Sequence, residues 1–306
     1  MQPQTYPIPD RLNVFLVLLV SVTAVSLLWL ASHTSSWIAT LIVGIVFSYA
    51  MLTNYALLHD ATHDTLRSTT NANYWLGLIT GIWFPIPFSM IHYTHRSHHR
   101  FNRTDTEMFD CYYPTDNWWL KSIQWYSILL GLFWPLIPIG ALFIAITPSR
   151  LRLKILSKAD PARGLAYLAT IPSDVVTRIR IETVLIAIVF AALTWVFNLR
   201  LLPVLLCYAC FSFNWSTRQY VTHAFSERDV INGAFNLCHN HFMDLILLHG
   251  QWDLNHHRHP EVSWYYLPRL TESKDSSKSY FEQYFRQWRG PVPATTPAPE
   301  PLTDDI

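Results

Sequence analysis

The chain of 306 residues contains long stretches without a charged side chain. The first runs from Leu12 to His59, which is 48 residues without Asp, Glu, Lys or Arg. A helix that crosses a bilayer needs about 20 apolar residues, so two spans fit here, joined by the polar segment Ser32–Ser36. The stretch is too long for a cleaved signal peptide, and a second span follows at once.

Two more apolar runs lie in the second half of the chain, separated by a short turn at about Asn198–Pro203. Each pair of runs predicts a helical hairpin through the bilayer. We therefore expect an all-α integral membrane protein with four transmembrane helices in two hairpins. The four predicted spans are about Leu12–Ala31, Trp37–Leu58, Ile181–Phe197 and Leu201–Val221.

A further uncharged run, Ser122–Ser149, is too short for two spans because it has 28 residues. Residues 150–180, which follow it, carry seven basic and two acidic side chains, so the positive-inside rule places them in the cytoplasm. If the N-terminus is cytoplasmic, a single crossing by Ser122–Ser149 would place residues 150–180 outside, against this rule. The run is therefore expected to be re-entrant or to lie at the membrane surface, bent at Pro135 and Pro138.

The apolar segment Asn73–Met90 is interrupted by Pro85 and Pro87. It is interpreted as a second interfacial or membrane-dipping connector. After Gln287 the sequence becomes rich in proline, which predicts a disordered tail. We therefore divide the chain into a membrane domain over residues 1–289 and a tail over residues 290–306.

Composition agrees with a membrane protein, since 51% of the residues are hydrophobic and 14% are charged, against about 25% charged residues in globular domains. A net charge of +1 indicates neither nucleic acid nor an acidic partner. Among the four cysteines, Cys207 and Cys210 form a CxxC pair inside an apolar run. Without a second such pair, buried thiols are favoured over a redox or zinc site.

Thirteen of the fourteen histidines lie in two bands, each at the end of an apolar stretch. Six lie between His59 and His99, and seven lie between His223 and His259. Histidine is costly in lipid, and rings three or four residues apart on a helix share one face, where they can bind a metal. The remaining histidine, His33, is expected to be lumenal and inert.

The first histidine cluster, in the segment HDATHD, contains His59 and His63 on one helical face. Asp60 and Asp64 follow these histidines and could accept their second ring N–H, which would fix the ring orientation. A hydrogen-bonded histidine pair at the membrane interface is the alternative interpretation of this cluster.

The second cluster contains His95, His98 and His99, and the third contains the adjacent pair His256 and His257. Arginines flank the second cluster, so a basic surface helix is an alternative there. Adjacent histidines point in different directions and suit two metal ions. Eight or more candidates exceed one zinc site of about four ligands, and neutral imidazoles suit iron, so a di-iron centre is predicted.

Together the segments HDATH, HRSHH and NHHRHP resemble the histidine boxes of the membrane fatty acid desaturase superfamily, over about Thr53–Arg269. Carotenoid ketolases and alkane hydroxylases are related to this group. The resemblance implies a membrane helix bundle under a cytoplasmic helical cap, with two irons bound by histidines of all three boxes. It also implies a further ligand near the end of the last membrane helix, a position that His223 occupies.

The third box departs from the usual HxxHH pattern, because Asp253 occupies its leading position. A carboxylate can bind iron, so Asp253 is interpreted as a ligand. Alternatively, Asp253 supports a neighbouring ligand, and His249 or Asn255 binds the metal instead. No separate catalytic residue is predicted. The predicted metal ligands are His59, His63, His95, His98, His99, His223, Asp253, His256 and His257, whereas His239 and His241 are expected to have supporting roles.

The implied activity is an oxygen-dependent oxidation of an unactivated C–H bond in a lipid-like substrate, with acyl-chain desaturation preferred. Dioxygen is the co-substrate. An external, ferredoxin-like protein is expected to supply two electrons, since the sequence has no flavin or haem motif. Hydroxylation or ketolation is the first alternative, and a divalent-metal transporter or sensor is the second. The histidine clusters are expected on the cytoplasmic face of a multi-pass membrane protein.

Overall fold

The computed structural model of the protein describes residues 6–156, Leu168, 171–275 and 277–303, so Lys158 and Arg163 of the predicted basic loop lie outside the described residues. Within these ranges the regular secondary structure is almost entirely helical. The helices are α1 (Asp10–His33), α2 (Trp37–Thr62), α3 (Thr70–Trp83), α4 (Phe88–Phe101), α5 (Trp118–Leu129), α6 (Phe133–Ile146), α7 (Ser149–Leu156), α8 (Ser173–Phe197), α9 (Leu201–Ser216), α10 (His241–Leu247), α11 (Asp253–Arg258) and α12 (Tyr280–Gln287). Short 3₁₀ segments cover Asp105–Glu107 and Trp264–Leu270, and two short parallel strands are β1 (Cys111–Tyr112) and β2 (Val292–Pro293).

Among the described residues, three helices are long and apolar enough to cross a membrane, and five spans result if two bent helix pairs are each counted as one. Helices α1, α2 and α8 have 24, 26 and 25 residues. At 1.5 Å per residue each is about 36–39 Å long, enough to cross the hydrocarbon layer. The all-helical architecture with several candidate membrane spans is therefore confirmed, while the division into four spans and two hairpins stays a prediction.

Helix α2 lies at the centre of the bundle and packs against α1 and α9. Its side chains Phe47, Met51 and Leu58 are fully buried in this core. On the outer surface, Ile38 is 74% exposed and Trp195 is 85% exposed. Large apolar side chains can remain on this outer surface because lipid hydrocarbon, rather than water, surrounds a membrane helix.

Helices α3 and α4 meet at an angle of 97°, and the break contains Pro85 and Pro87 as the sequence predicts. The buried Glu182 of α8 fixes the start of α4. Its carboxylate accepts hydrogen bonds from the Ser89 backbone N–H (2.8 Å), the Ser89 hydroxyl (2.6 Å) and the Tyr74 hydroxyl (2.8 Å). A carboxylate at a helix N-terminus is electrostatically favourable, so Glu182 sets the direction in which α4 leaves the break.

Helices α5 and α6 form the second bent pair, also at 97°. The bend was predicted at Pro135 and Pro138, and this position was wrong, because both prolines lie inside α6. The break lies at residues 130–132, where Gly131 has a φ of +95°. A Cβ at this glycine would lie 2.9 Å from the Phe213 Cα, so the close approach to α9 requires glycine.

Helix α9 is shorter than predicted, because it ends at Ser216 rather than at Val221. The polar residues Thr217–Gln219 follow, and the chain continues in a series of turns up to Phe225. One of these turns carries His223, whose backbone N–H donates to the Tyr220 carbonyl oxygen. The chain therefore leaves the helix before it reaches this candidate ligand.

The C-terminal segment contacts the part of the molecule that bears the histidines. Strand β2 pairs with β1, so that Val292 lies opposite Cys111. Further along, the carbonyl oxygen of Leu302 accepts a hydrogen bond from Arg100 Nε at 2.9 Å. The domain boundary at residue 289 stays a prediction.

Replacement of Gly131 by alanine is expected to lower the free energy of unfolding by about 1–3 kcal/mol, because an L-residue is strained at this positive φ and its Cβ meets Phe213. Gly140 in α6 is a matched control, since a Cβ there meets only Met90 Cε, at 3.8 Å. Gly140→Ala should be neutral or stabilising. Thermal unfolding in detergent measures both variants, and equal melting temperatures would contradict the role given to Gly131.

Candidate metal centre

Four parts of the chain converge at the end of α2: the last turn of α2, helix α4, the turn after α9, and α11. Helical spacing explains the local arrangement, because side chains three or four residues apart lie on one face. The structure brings all the predicted ligands into one cluster of adjoining rings and one carboxylate: His59, His63, His95, His98, His99, His223, Asp253, His256 and His257.

The first group of ligands consists of His59, His63, His95 and His256, each of which offers one ring nitrogen. These atoms lie within 4.8 Å of one another. The ring centroids of His59 and His95 are 4.2 Å apart, so α2 and α4 are in direct contact through their imidazoles. Four nitrogen donors around one point can bind a transition metal ion.

The second group consists of His98, His223 and His257, whose ring nitrogens also lie within 4.8 Å of one another. Asp253 adds a carboxylate to this group, with its Oδ2 atom 2.9 Å from His223 Nε2. The second group therefore differs from the first in that an anionic oxygen stands beside its nitrogens.

His99 lies between the two groups. Its Nε2 atom is 3.1 Å from His95 Nε2 and 3.0 Å from His256 Nε2. Its ring also stacks on that of His257, with centroids 4.3 Å apart. His99 is 1% exposed, so this contact between the groups is shielded from water.

Several buried ring nitrogens in the cluster have no hydrogen-bond partner among the described residues: His63 Nε2, His99 Nδ1 and His257 Nδ1. Buried polar groups are normally hydrogen-bonded, and leaving them unpaired costs free energy. Metal ions among these donors would remove part of this cost. The donor set therefore fits two metal positions.

The orientation of His223 supports the same conclusion. Its Nδ1 atom lies 3.1 Å from the carbonyl oxygen of Gly233, which can only accept a hydrogen bond. The Nδ1 atom must therefore carry the proton, and in the neutral ring the lone pair is on Nε2, facing Asp253. A lone pair and a carboxylate oxygen 2.9 Å apart need a proton or a metal ion near them.

Burial also prepares the donors for metal binding. Removal from water lowers the pKa of His256 and of His257 well below the ordinary value, so both rings are neutral near pH 7. Burial alone would raise the pKa of the Asp253 carboxyl, but the facing His223, when its Nε2 atom carries a proton, holds this pKa well below its usual range. Neutral imidazoles and an ionised carboxylate are the forms that bind metals.

Asp60 and Asp64 have partners other than the expected ring N–H groups of the ligands. The Asp60 carboxylate accepts hydrogen bonds from the Trp264 backbone N–H (3.1 Å) and the Ser263 hydroxyl (3.2 Å). Asp64 instead accepts a hydrogen bond from Arg96 Nη2 at 2.8 Å. The two carboxylates therefore join α2 to the segment after α11 and to α4, and so hold the ligand-bearing parts together.

The alternative ligands Asn255 and His249 lie outside both groups. The Asn255 side chain donates to the Leu267 carbonyl oxygen at 2.7 Å and accepts from Asn236 Nδ2 at 2.8 Å, so its hydrogen bonds support the fold. The Nδ1 atom of His249 lies 3.1 Å from the carbonyl oxygen of Trp264. The geometry therefore favours Asp253, rather than Asn255 or His249, as the candidate ligand at the leading position of the third box.

Three further histidines, His33, His239 and His241, lie outside the ligand cluster. His33 is at the end of α1, exposed, with Nδ1 2.8 Å from the Trp29 carbonyl oxygen. His239 and His241 form a separate group with Asp244. None of these residues takes part in the contacts between the two ligand groups.

Sequence reasoning missed two partners of the cluster. Glu107 places Oε2 3.5 Å from His98 Nδ1, and Gly233 supplies the carbonyl oxygen that faces His223. The position of Glu107, shortly after the second box, could have suggested the first contact. A backbone carbonyl leaves no signal in a sequence, so the second contact could be found only from the structure.

An aromatic surface adjoins the first ligand group on the side toward the bundle. The ring of Tyr55, one helical turn before His59, has its centroid 6.1 Å from that of His59. Phe84 and Trp215 pack against Tyr55 at centroid distances of 5.3 and 5.1 Å. Gln219 donates to the Tyr55 hydroxyl at 3.1 Å. The cluster therefore has an apolar side that contains one fixed hydroxyl group.

The fold has several helices that could cross a membrane, and at the end of α2 it has a histidine cluster that could bind metal. A family model, fatty acid desaturase, matches residues 32–288, and the chain belongs to this family. A search of curated proteins finds no match. The resemblance of the three histidine boxes is thereby confirmed, and membership implies an oxidoreductase that acts on lipids at its histidine-rich site.

The His99→Ala variant is expected to lose most of the bound metal, because His99 contacts both ligand groups. Metal at about 100 times its dissociation constant stabilises a folded protein by about 2.7 kcal/mol. Wild type should therefore melt at a higher temperature when Fe²⁺ is added without oxygen, and the variant should show little of this shift. His33→Ala is the control, and should behave as wild type. Unchanged metal content in His99→Ala, measured by elemental analysis, would contradict the assignment.

Proposed function

We propose that this protein is a di-iron membrane enzyme that desaturates an acyl chain. Two hydrogens leave neighbouring CH₂ groups, and dioxygen takes up these hydrogens together with two electrons and two protons, to give an alkene and two waters. The single observation that carries the proposal is the pair of adjoining ligand groups at the end of the membrane helix α2. Membership of the fatty acid desaturase family supports it.

One iron would be held by the first ligand group, His59, His63, His95 and His256. The second iron would be held by His98, His223 and His257, together with Asp253. His99 would be a further ligand, and its contacts with residues of both groups support this role. When bound, the iron pair supplies the power to oxidise an unactivated C–H bond with dioxygen.

The chain itself must orient the substrate and keep water away from the reacting carbon. The aromatic surface of Tyr55, Phe84 and Trp215 is suited to this task, because Phe84 and Trp215 are buried and the surface adjoins His59. An acyl chain that enters from the bilayer would meet this group of rings at Tyr55, which is only half-buried. The Tyr55 hydroxyl, held by Gln219, is the nearby polar group that can donate a hydrogen bond within this apolar surface.

Two electrons must come from a separate protein, for which a small ferredoxin-like carrier is the proposed class. The proposed cytoplasmic face of the histidine clusters suits such a partner. The basic residues of α7 support this orientation through the positive-inside rule. A metal transporter is disfavoured, because transport needs ligands along a path through the bilayer, whereas these ligands lie together at one end of α2.

The product distinguishes desaturation from its alternatives. Expression in a host, followed by mass spectrometry of its lipids, is expected to show acyl chains that are lighter by two hydrogens. A gain of one oxygen would instead indicate hydroxylation, and a ketone would indicate ketolation. His99→Ala is the inactive control, and His33→Ala should give the same products as wild type. Identical lipids with wild type and with His99→Ala, in cells that supply an electron donor, would contradict the proposed activity.

The proposed role of Asp253 as an iron ligand can be tested by changing the third box toward its usual HxxHH sequence. Asp253→His provides an imidazole in place of the carboxylate and should keep both irons. Asp253→Ala should lose about half of the iron, because the second group then retains only its histidines. Glu261→Gln changes an exposed carboxylate of the same region and is the matched control. Full iron content in Asp253→Ala, measured by elemental analysis, would show that Asp253 is not needed as a ligand.

A further inference from the structure

A third group of metal-ligand side chains lies apart from the proposed di-iron centre. It consists of His239, His241 and Asp244, each of which offers one atom, and these atoms all lie within 4.8 Å of one another. The His239 Nε2 and His241 Nδ1 atoms are 3.2 Å apart, and the ring centroids are separated by 4.3 Å. Both histidines are exposed, so one side of the group is open to water.

The carboxylate of this group is held in a fixed orientation. Asp244 is 6% exposed, and Gln251 Nε2, itself buried, donates to its Oδ1 atom. The other oxygen, Oδ2, is in contact with His239 Nδ1. A carboxylate oriented in this way by a buried amide is typical of a metal ligand with a supporting partner.

The loop that bears the two histidines is also fixed. The Asn240 side chain accepts hydrogen bonds from the backbone N–H groups of Phe242 and Met243, both at 3.1 Å, at the start of α10. Helix α10 is in turn joined to α2, because the Thr53 hydroxyl donates to the Ile246 carbonyl oxygen at 2.8 Å. The positions of His239 and His241 relative to Asp244 are therefore set by the fold.

We propose that His239, His241 and Asp244 form an exchangeable binding site for a divalent cation of the zinc type. Two imidazoles and one carboxylate on one side, with water on the other, give three protein ligands and open coordination positions. The site shares no ligand with the proposed di-iron centre. It is connected to that centre through Gln251, which precedes Asp253 by two residues, so the bound cation stabilises the segment that leads into α11.

Zinc binding to the iron-loaded protein tests this site separately from the di-iron centre. Isothermal titration with Zn²⁺ in detergent is expected to show a single additional zinc per chain, with no loss of iron. His241→Ala should weaken zinc binding at least about 10-fold, because even the loss of a supporting partner of a metal ligand costs this much. His241→Cys, which supplies another zinc ligand, should retain binding.

Two further variants serve as controls. Cys238→Ser removes the exposed thiol next to the site, and His259→Ala removes a partly exposed histidine outside it. Both variants should bind zinc as wild type does. Iron content reports that each variant is folded. The proposal is overturned if iron-loaded wild type takes up no additional zinc, or if His241→Ala binds it as tightly as wild type. In that outcome the contacts of His239 with Asp244 and with His241 are hydrogen bonds, each with its own proton.

Discussion

The close packing of imidazoles from α2, α4 and α11 is the constraint on which the rest of the structure depends. Ring nitrogens in this cluster approach to 3.0 and 3.1 Å, and several of them have no hydrogen-bond partner in the part of the chain that the structure describes. Such an arrangement is costly unless cations occupy it. The surrounding fold therefore has to hold the rings together before the metal arrives, and it does so with carboxylates, of which Asp60 and Glu182 are the clearest examples.

These two carboxylates act at different places on the same helical framework. Glu182 holds the start of α4 beside α8, which sets the direction of the helix that carries the second histidine box. Asp60 joins the end of α2 to Trp264, in the segment that follows the third box. Buried acidic side chains in or near a membrane are expensive, and both are stabilised here by hydrogen bonds from backbone N–H groups.

The sequence predicted the helical class and the ligand cluster better than it predicted the local geometry. Long apolar runs and histidine spacing depend only on local periodicity, so they could be recognised along the chain. The bend at Gly131 could not be recognised in this way, because it depends on the close approach of Phe213, which is distant in sequence. The partners of Asp60 and the carbonyl oxygen that orients His223 likewise depend on contacts that form only in the folded chain.

The distance along the chain between the ligands has a consequence for biosynthesis. His59 and His256 belong to the same ligand group, although nearly two hundred residues separate them. Beyond them, Leu302 accepts a hydrogen bond from Arg100, the residue next to His99. A ribosome must therefore finish almost the entire polypeptide before the first ligand group is complete. Loading of the proposed metal site would then follow synthesis, and a chain that ended before His256 would lack one ligand of this group.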